Sequence, residues 1–184
     1  MALPDQLPGI RPRLTLGRRL DIAARWSFPL CASVILMLLT GIPLGLPNQA
    51  ALLPAVALIS VWFWSLFRPG SMPPPVVFLI GLLLDLRGYL PLGAGVLTLL
   101  IAHGIALRWR RFLVEQGFTV TWIAFLPIAL GGAAVIWLLT ALLGFRLLPV
   151  LPALFQAVLT AVLYPVLAIP LGRAHRTLAD PAQA

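Results

Sequence analysis

The sequence predicts an all-α integral membrane protein with six transmembrane helices, the third short or kinked. Three observations carry this expectation. Of the 184 residues, 61% are hydrophobic and 10% charged, with a mean hydropathy of +1.03, whereas a soluble domain is about half apolar and about a quarter charged. Apolar segments recur at 27–46, 50–67, 74–89, 91–107, 120–143 and 150–171, most of them near the roughly 20 residues needed to span a bilayer core of about 30 Å. The thirteen basic residues, all arginine, fall unevenly on alternate connections.

Residues 1–26 form a basic N-terminal segment carrying Arg11, Arg13, Arg18, Arg19 and Arg25. From about 14 onward, Leu16, Leu20 and Ala24 recur every four residues toward Trp26. That is the pattern of a helix lying at the headgroups, or of a charged flank anchoring the first span. The span at 27–46 exceeds the 7 to 15 residues, roughly, of a cleavable signal core and reads as a membrane helix. Cys31 lies within it and reads as a packing residue, since no second cysteine exists for a disulfide or a CxxC site.

Proline and glycine clusters at Gly45–Pro47, Pro69–Pro75, Gly88–Pro91 and Gly144–Pro152 separate the later segments. The third segment is interrupted by Asp85 and Arg87 and offers only about 21–24 Å of helix. It is a short helix, or one arm of a re-entrant hairpin with the fourth. The expected organisation is a six-helix membrane domain at 27–171 and a tail at 172–184.

With six crossings, one side of the membrane receives the N-terminal arginines, Arg68, Arg108, Arg110, Arg111, Arg173 and Arg176. The other side receives only Arg87 and Arg146. The positive-inside rule then places both termini in the cytoplasm. The net charge of +8 therefore reports orientation and contact with anionic lipid headgroups, not a nucleic-acid partner.

Asp85 is the one acidic residue inside an apolar segment, where a carboxylate costs about 2.5–3.5 kcal/mol at a helix centre. Gly81, Asp85 and Gly88 share one face of the third helix, with glycines that admit a close neighbour. Gln156, Thr160 and Tyr164 form a polar stripe on the sixth helix, beside a small-residue seam of Ala153, Ala157 and Ala161. In antiparallel helices Asp85 and Gln156 fall at similar depth, which predicts a shared polar level near the outer surface. Arg87 or Arg146 would supply the counter-charge. The alternative is that Asp85 caps the break before Gly88 or stays hydrated at the headgroups.

Enzymatic chemistry finds little support. Ser33, Ser60 and Ser65 lack the glycine-flanked setting of a membrane serine nucleophile, and His103 reads as a helix-end hydrogen-bonding or packing residue. One membrane carboxylate cannot make an aspartyl dyad. The chain has no acidic cluster for a divalent metal and no phosphate-binding loop, so no cofactor or metal is expected. Trp62, Phe63, Trp64, Phe67, Trp109, Phe112, Trp122 and Phe125 read as an aromatic belt at the inner interface.

The stretch Pro73 to His103, with Gly81, Asp85, Gly88 and then Leu92-Gly93 opening the next helix, resembles the rod-shape-determining MreD family. Pro54, the Trp62–Trp64 run and Tyr164-Pro165 before Arg173 and Arg176 are similar to other parts of that family. The resemblance covers about residues 50–176. It implies a non-enzymatic inner-membrane scaffold subunit of the bacterial cell-wall elongation complex. Its direct partner would be MreC and, through it, MreB, RodA and a class B penicillin-binding transpeptidase; a homodimer stays open. The family in turn is similar to the six-helix substrate-binding subunits of energy-coupling-factor transporters, which leaves a vitamin-type binding subunit as the alternative. Under the first reading Gly81, Asp85, Gly88, Gly93, Gly95, Gln156, Ala157 and Ala161 form partner-binding faces, where close backbone contact holds a neighbouring helix.

Overall fold

The computed structural model describes residues 16–42, 49–88, 90–145 and 148–179, and the regular structure among them is helical. The α-helices are α1 (Leu16–Leu39), α2 (Leu52–Phe67), α3 (Pro74–Arg87), α4 (Ala94–Glu115), α5 (Phe118–Gly144) and α6 (Leu151–Ala179), with single 3-10 turns at Gln49–Ala51 and Pro69–Ser71. Breaks fall at the proline and glycine positions. Extended Pro73 precedes α3, whose first turn holds prolines that lose no hydrogen bond there, and extended Gly117 starts α5.

Three helices overrun the apolar segments. α1 begins at Leu16, so the expected headgroup helix and first span are one continuous helix. α4 runs through Arg108, Arg110 and Arg111, and α6 passes residue 171 to Ala179. Arginine, alanine and leucine are good helix formers, and nothing at these places breaks the helix where the apolar run stops.

Three helical stretches, Gln49–Phe67, Phe118–Gly144 and Leu151–His175, are long and apolar enough to cross a membrane. They make the fold compatible with a membrane-embedded protein. α1 adds a shorter apolar stretch, Trp26–Leu39, and α3 has 14 residues. Apolar side chains cover the outside of the bundle, including Ile123, Leu126 and Leu130 on α5 and Val158, Val162, Val166 and Ile169 on α6. Cys31 also faces outward, in place of the expected packing position.

α2 is the central helix, packed against α1, α3, α4 and α6, and every residue from Ala55 to Leu66 is buried. This corrects the aromatic belt. Trp62, Phe63 and Trp64 are core residues, with Trp62 tilted against Phe125 at 5.9 Å and Trp64 edge-on to Phe28 at 5.9 Å. Trp109 and Phe112 remain exposed. The aromatic residues of α2 sit at one end of their helix, but the helices around them, not depth, decide their burial.

The helices alternate in direction. At one end, Arg110 Nε donates to Leu66 O at 2.7 Å and the rings of Phe67 and His175 lie 5.7 Å apart, joining the ends of α2, α4 and α6. At the other end, Gln156 Nε2 donates to Ala51 O at 3.0 Å, joining the starts of α2 and α6. The Arg87 guanidinium lies against Gly41 beyond α1.

Pro165 lies inside α6 and has no N–H for the carbonyl of Ala161, four residues earlier. The indole Nε1 of Trp122 on α5 donates to that carbonyl at 3.0 Å. A tryptophan thus supplies from the neighbouring helix the hydrogen bond that proline removes. Trp122→Phe is expected to lose about 1 kcal/mol of stability, while in a Pro165→Ala background the same change loses less, because the backbone again reaches the Ala161 carbonyl. Thermal melts of the four proteins in detergent measure this coupling, and equal losses in both backgrounds would contradict it.

Candidate functional site

The site grows from the turn between α3 and α4. The first four N–H groups of a helix have no partner within it. In α4 these are the amides of Gly93, Ala94, Gly95 and Val96, and all four are satisfied. Asp85 Oδ2 accepts from Gly93 N at 2.7 Å and from Val96 N at 3.4 Å, and Oδ1 accepts from Gly95 N at 2.7 Å. Ala94 N donates to Pro91 O at 3.0 Å. Asp85 is therefore the N-terminal cap of α4, supplied from the end of α3 in place of a local serine or aspartate.

This accounts for a carboxylate that is only 2% exposed. Charge-assisted bonds from backbone amides are strong, and the positive end of the α4 dipole adds to them. Among the described residues the expected arginine counter-charge is not beside Asp85. Arg87 points to Gly41, Arg146 lies outside the described residues, and among the described residues the partners of Asp85 are backbone amides.

The glycines make the approach. A Cβ on Gly81 would lie 2.6 Å from Val96 Cα, so α3 and α4 touch backbone to backbone. A Cβ on Gly95 would collide with Asp85 Oδ1. Gly93 has φ +97°, a conformation open to glycine and strained for other residues. Gly88 follows α3, its amide bonded to Leu84 O at 2.7 Å. Gly81, Asp85 and Gly95 are buried inside this hairpin, whereas Gly93 and Leu92 face outward and Gly88 is half-buried.

The second half of the expected polar level does not meet the first. Gln156 Nε2 donates to Ala51 O at 3.0 Å and to Thr160 Oγ1 at 3.3 Å, and Thr160 Oγ1 donates to Gln156 O at 2.7 Å. Leu84, next to Asp85, and Gln156 border a common void of about 10 Å³, barely the space of one water probe. Ala157 is buried, and Ala161 uses its carbonyl for Trp122. The small-residue seam therefore lies against the interior of the bundle.

One pairing escaped the sequence. Ser65 Oγ and His103 Nδ1 lie 2.7 Å apart between α2 and α4, resembling in composition a nucleophile and its base. Ser65 Oγ also lies 2.5 Å from Val61 O, the carbonyl four residues earlier in its own helix, so the hydroxyl is shared between that carbonyl and the imidazole. Ser65 and His103 are 0% and 3% exposed, and His103 Nε2 is buried without a partner. The pair ties two helices together. No spacing rule could have joined residues 38 positions apart without knowledge that α2 and α4 are neighbours.

Compared with family models, curated proteins and solved structures, the chain gives no match. Asp85→Ala is expected to cost about 2–4 kcal/mol, from a lost cap and buried amides left unpaired, and Asp85→Asn less, since one acceptor oxygen remains. Gly81→Leu should prevent the hairpin from closing. Gly104→Ala and Gly131→Ala, where a Cβ meets nothing within 4 Å, should be neutral or stabilising by up to about 1 kcal/mol. Thermal melts in detergent measure the series, and a Gly81 variant as stable as the Gly131 variant would contradict the close approach.

Proposed function

We propose that this chain is a non-enzymatic inner-membrane scaffold subunit of the bacterial cell-wall elongation complex, of the MreD type, and that it acts by binding MreC. The observation that carries the reading is that Gly81, Asp85, Gly88 and Gly93, the residues of the resemblance, fall in one helical hairpin with structural tasks. Gly81 permits contact, Asp85 caps α4 and Gly93 makes the turn. A motif of this kind specifies the shape of a helix pair, which suits a protein whose work is to present helix surfaces.

In this proposal the chain crosses the inner membrane six times with both termini in the cytoplasm, as the arginine distribution favours. The alternating helix directions support it. α3, at 14 residues, is shorter than the bilayer core, a mismatch met by local thinning or tilt at modest cost. Gly81, Asp85 and Gly95 hold the hairpin spacing, and the MreC helix meets its outward surfaces, including Leu79 and Leu86 on α3 and Leu97 on α4, which are exposed. MreB, RodA and the transpeptidase would be reached through MreC. The transporter reading would need Asp85 and Gln156 to line a ligand chamber; their bonds to α4 amides and to Ala51 weigh against that role.

The test is photocrosslinking in membranes containing MreC. Photoreactive residues at Leu79 and Leu97 are expected to capture MreC, and one at Val162 on the far surface of α6 is not. Capture from Val162 alone would move the docking face, and capture from none of the three would contradict the MreC reading.

A further inference from the structure

A second site lies at the arginine-rich end of the bundle, away from the α3–α4 hairpin. There the ends of α2, α4 and α6 and the start of α5 line a cavity of about 690 Å³ that is open on one side. Its apolar wall includes Phe63, Phe67 and Phe118, and its polar groups include Tyr164, Arg173 and His175. Among the described residues no acidic side chain lines it.

The polar groups are poised for a ligand. Tyr164 is 1% exposed, its ring stacked on Phe125 at 4.6 Å and on Phe118 at 6.1 Å. Its hydroxyl reaches the cavity and is held by no hydrogen bond among the described residues. A buried tyrosine hydroxyl ordinarily finds a partner. His175, packed on Phe67, also lines the cavity, and its Nδ1 is buried away from that space without a partner. Arg173 stands exposed at the rim. The N-terminus of α5, with no acid in its first turn, brings the positive end of a helix dipole to the same place.

We propose that this cavity binds one anionic phospholipid, its phosphate held by Arg173 and His175 with the Tyr164 hydroxyl donating a hydrogen bond, and the start of its acyl chains lying over the phenylalanines. Charge complementarity selects an anion, and the aromatic wall selects one carrying hydrocarbon. A soluble phosphate would leave that wall wet. The proposal needs only that the bundle sits in a bilayer and is independent of the MreC reading.

Native mass spectrometry of the full chain in mild detergent tests it, with phosphatidylglycerol, phosphatidylcholine of the same acyl chains, and glycerol 3-phosphate as probes. The first phosphatidylglycerol is expected to bind roughly tenfold or more tighter than phosphatidylcholine, a difference of about 1.4 kcal/mol. Arg173→Gln should remove the preference and Tyr164→Phe should weaken it. Gly172→Leu fills the cavity from a position where a Cβ meets nothing within 4 Å, so it should block binding while leaving the melting temperature in detergent unchanged. Equal affinity for the two lipids, or an unaltered preference in Gly172→Leu, would overturn the proposal. Glycerol 3-phosphate displacing the lipid at comparable concentration would also overturn it, by making the ligand a soluble phosphate.

Discussion

The fold depends on a carboxylate placed where a helix begins. α4 starts at the edge of the bundle with Ala94, Gly95 and Val96 already buried, where amides without partners are costly, and Asp85 accepts from the amides of Gly93, Gly95 and Val96. That bond fixes the register of α3 against α4 and demands glycine at Gly81, where the two backbones meet, and at Gly95, against the Asp85 carboxylate. α4 in turn packs against α2, the most enclosed helix, and against α5. A failure at the cap would therefore reach the centre of the bundle, although Asp85 itself lies at its edge.

The same economy recurs elsewhere. Pro165 leaves the Ala161 carbonyl free and Trp122 takes it up; Gln156 serves the carbonyl that ends the Gln49–Ala51 turn; His103 and Ser65 join α2 to α4. These polar side chains reach across to a neighbouring helix, where apolar surroundings offer no water as substitute, while Ser60 Oγ and the indole nitrogens of Trp62 and Trp64 stay buried without a partner. Around these contacts the outer surface is aliphatic, as on α6 at Val158, Val162 and Val166. These contacts serve the architecture, while Tyr164 and His175 at the arginine-rich end line a cavity.

Much of this was legible in the sequence, and the failures have a common cause. Helix breaks could be read because proline and glycine act locally, and Asp85 stood out because an acid in an apolar segment needs a reason. Equal depth points across the bundle to Gln156, while the amides that hold Asp85 lie eight to eleven residues onward. The cue was present in Gly93 and Gly95, the glycines of the next helix start. Trp62 and Trp64 lie in the core and not in a belt for a related reason: position along a helix gives depth, but burial depends on which helices surround it. The pairing of Trp122 with Pro165 and that of Ser65 with His103 depend wholly on neighbour relations, which no spacing along the chain encodes.

Amide hydrogen exchange in detergent micelles tests the central claim most directly, comparing the native chain with Asp85→Asn. The account predicts slow exchange at Gly93, Gly95 and Val96 in the native chain and exchange faster by roughly tenfold or more in the variant, with protection in the middle of α2 changed far less. Unchanged protection of those three amides in the variant would contradict the view that Asp85 holds the start of α4.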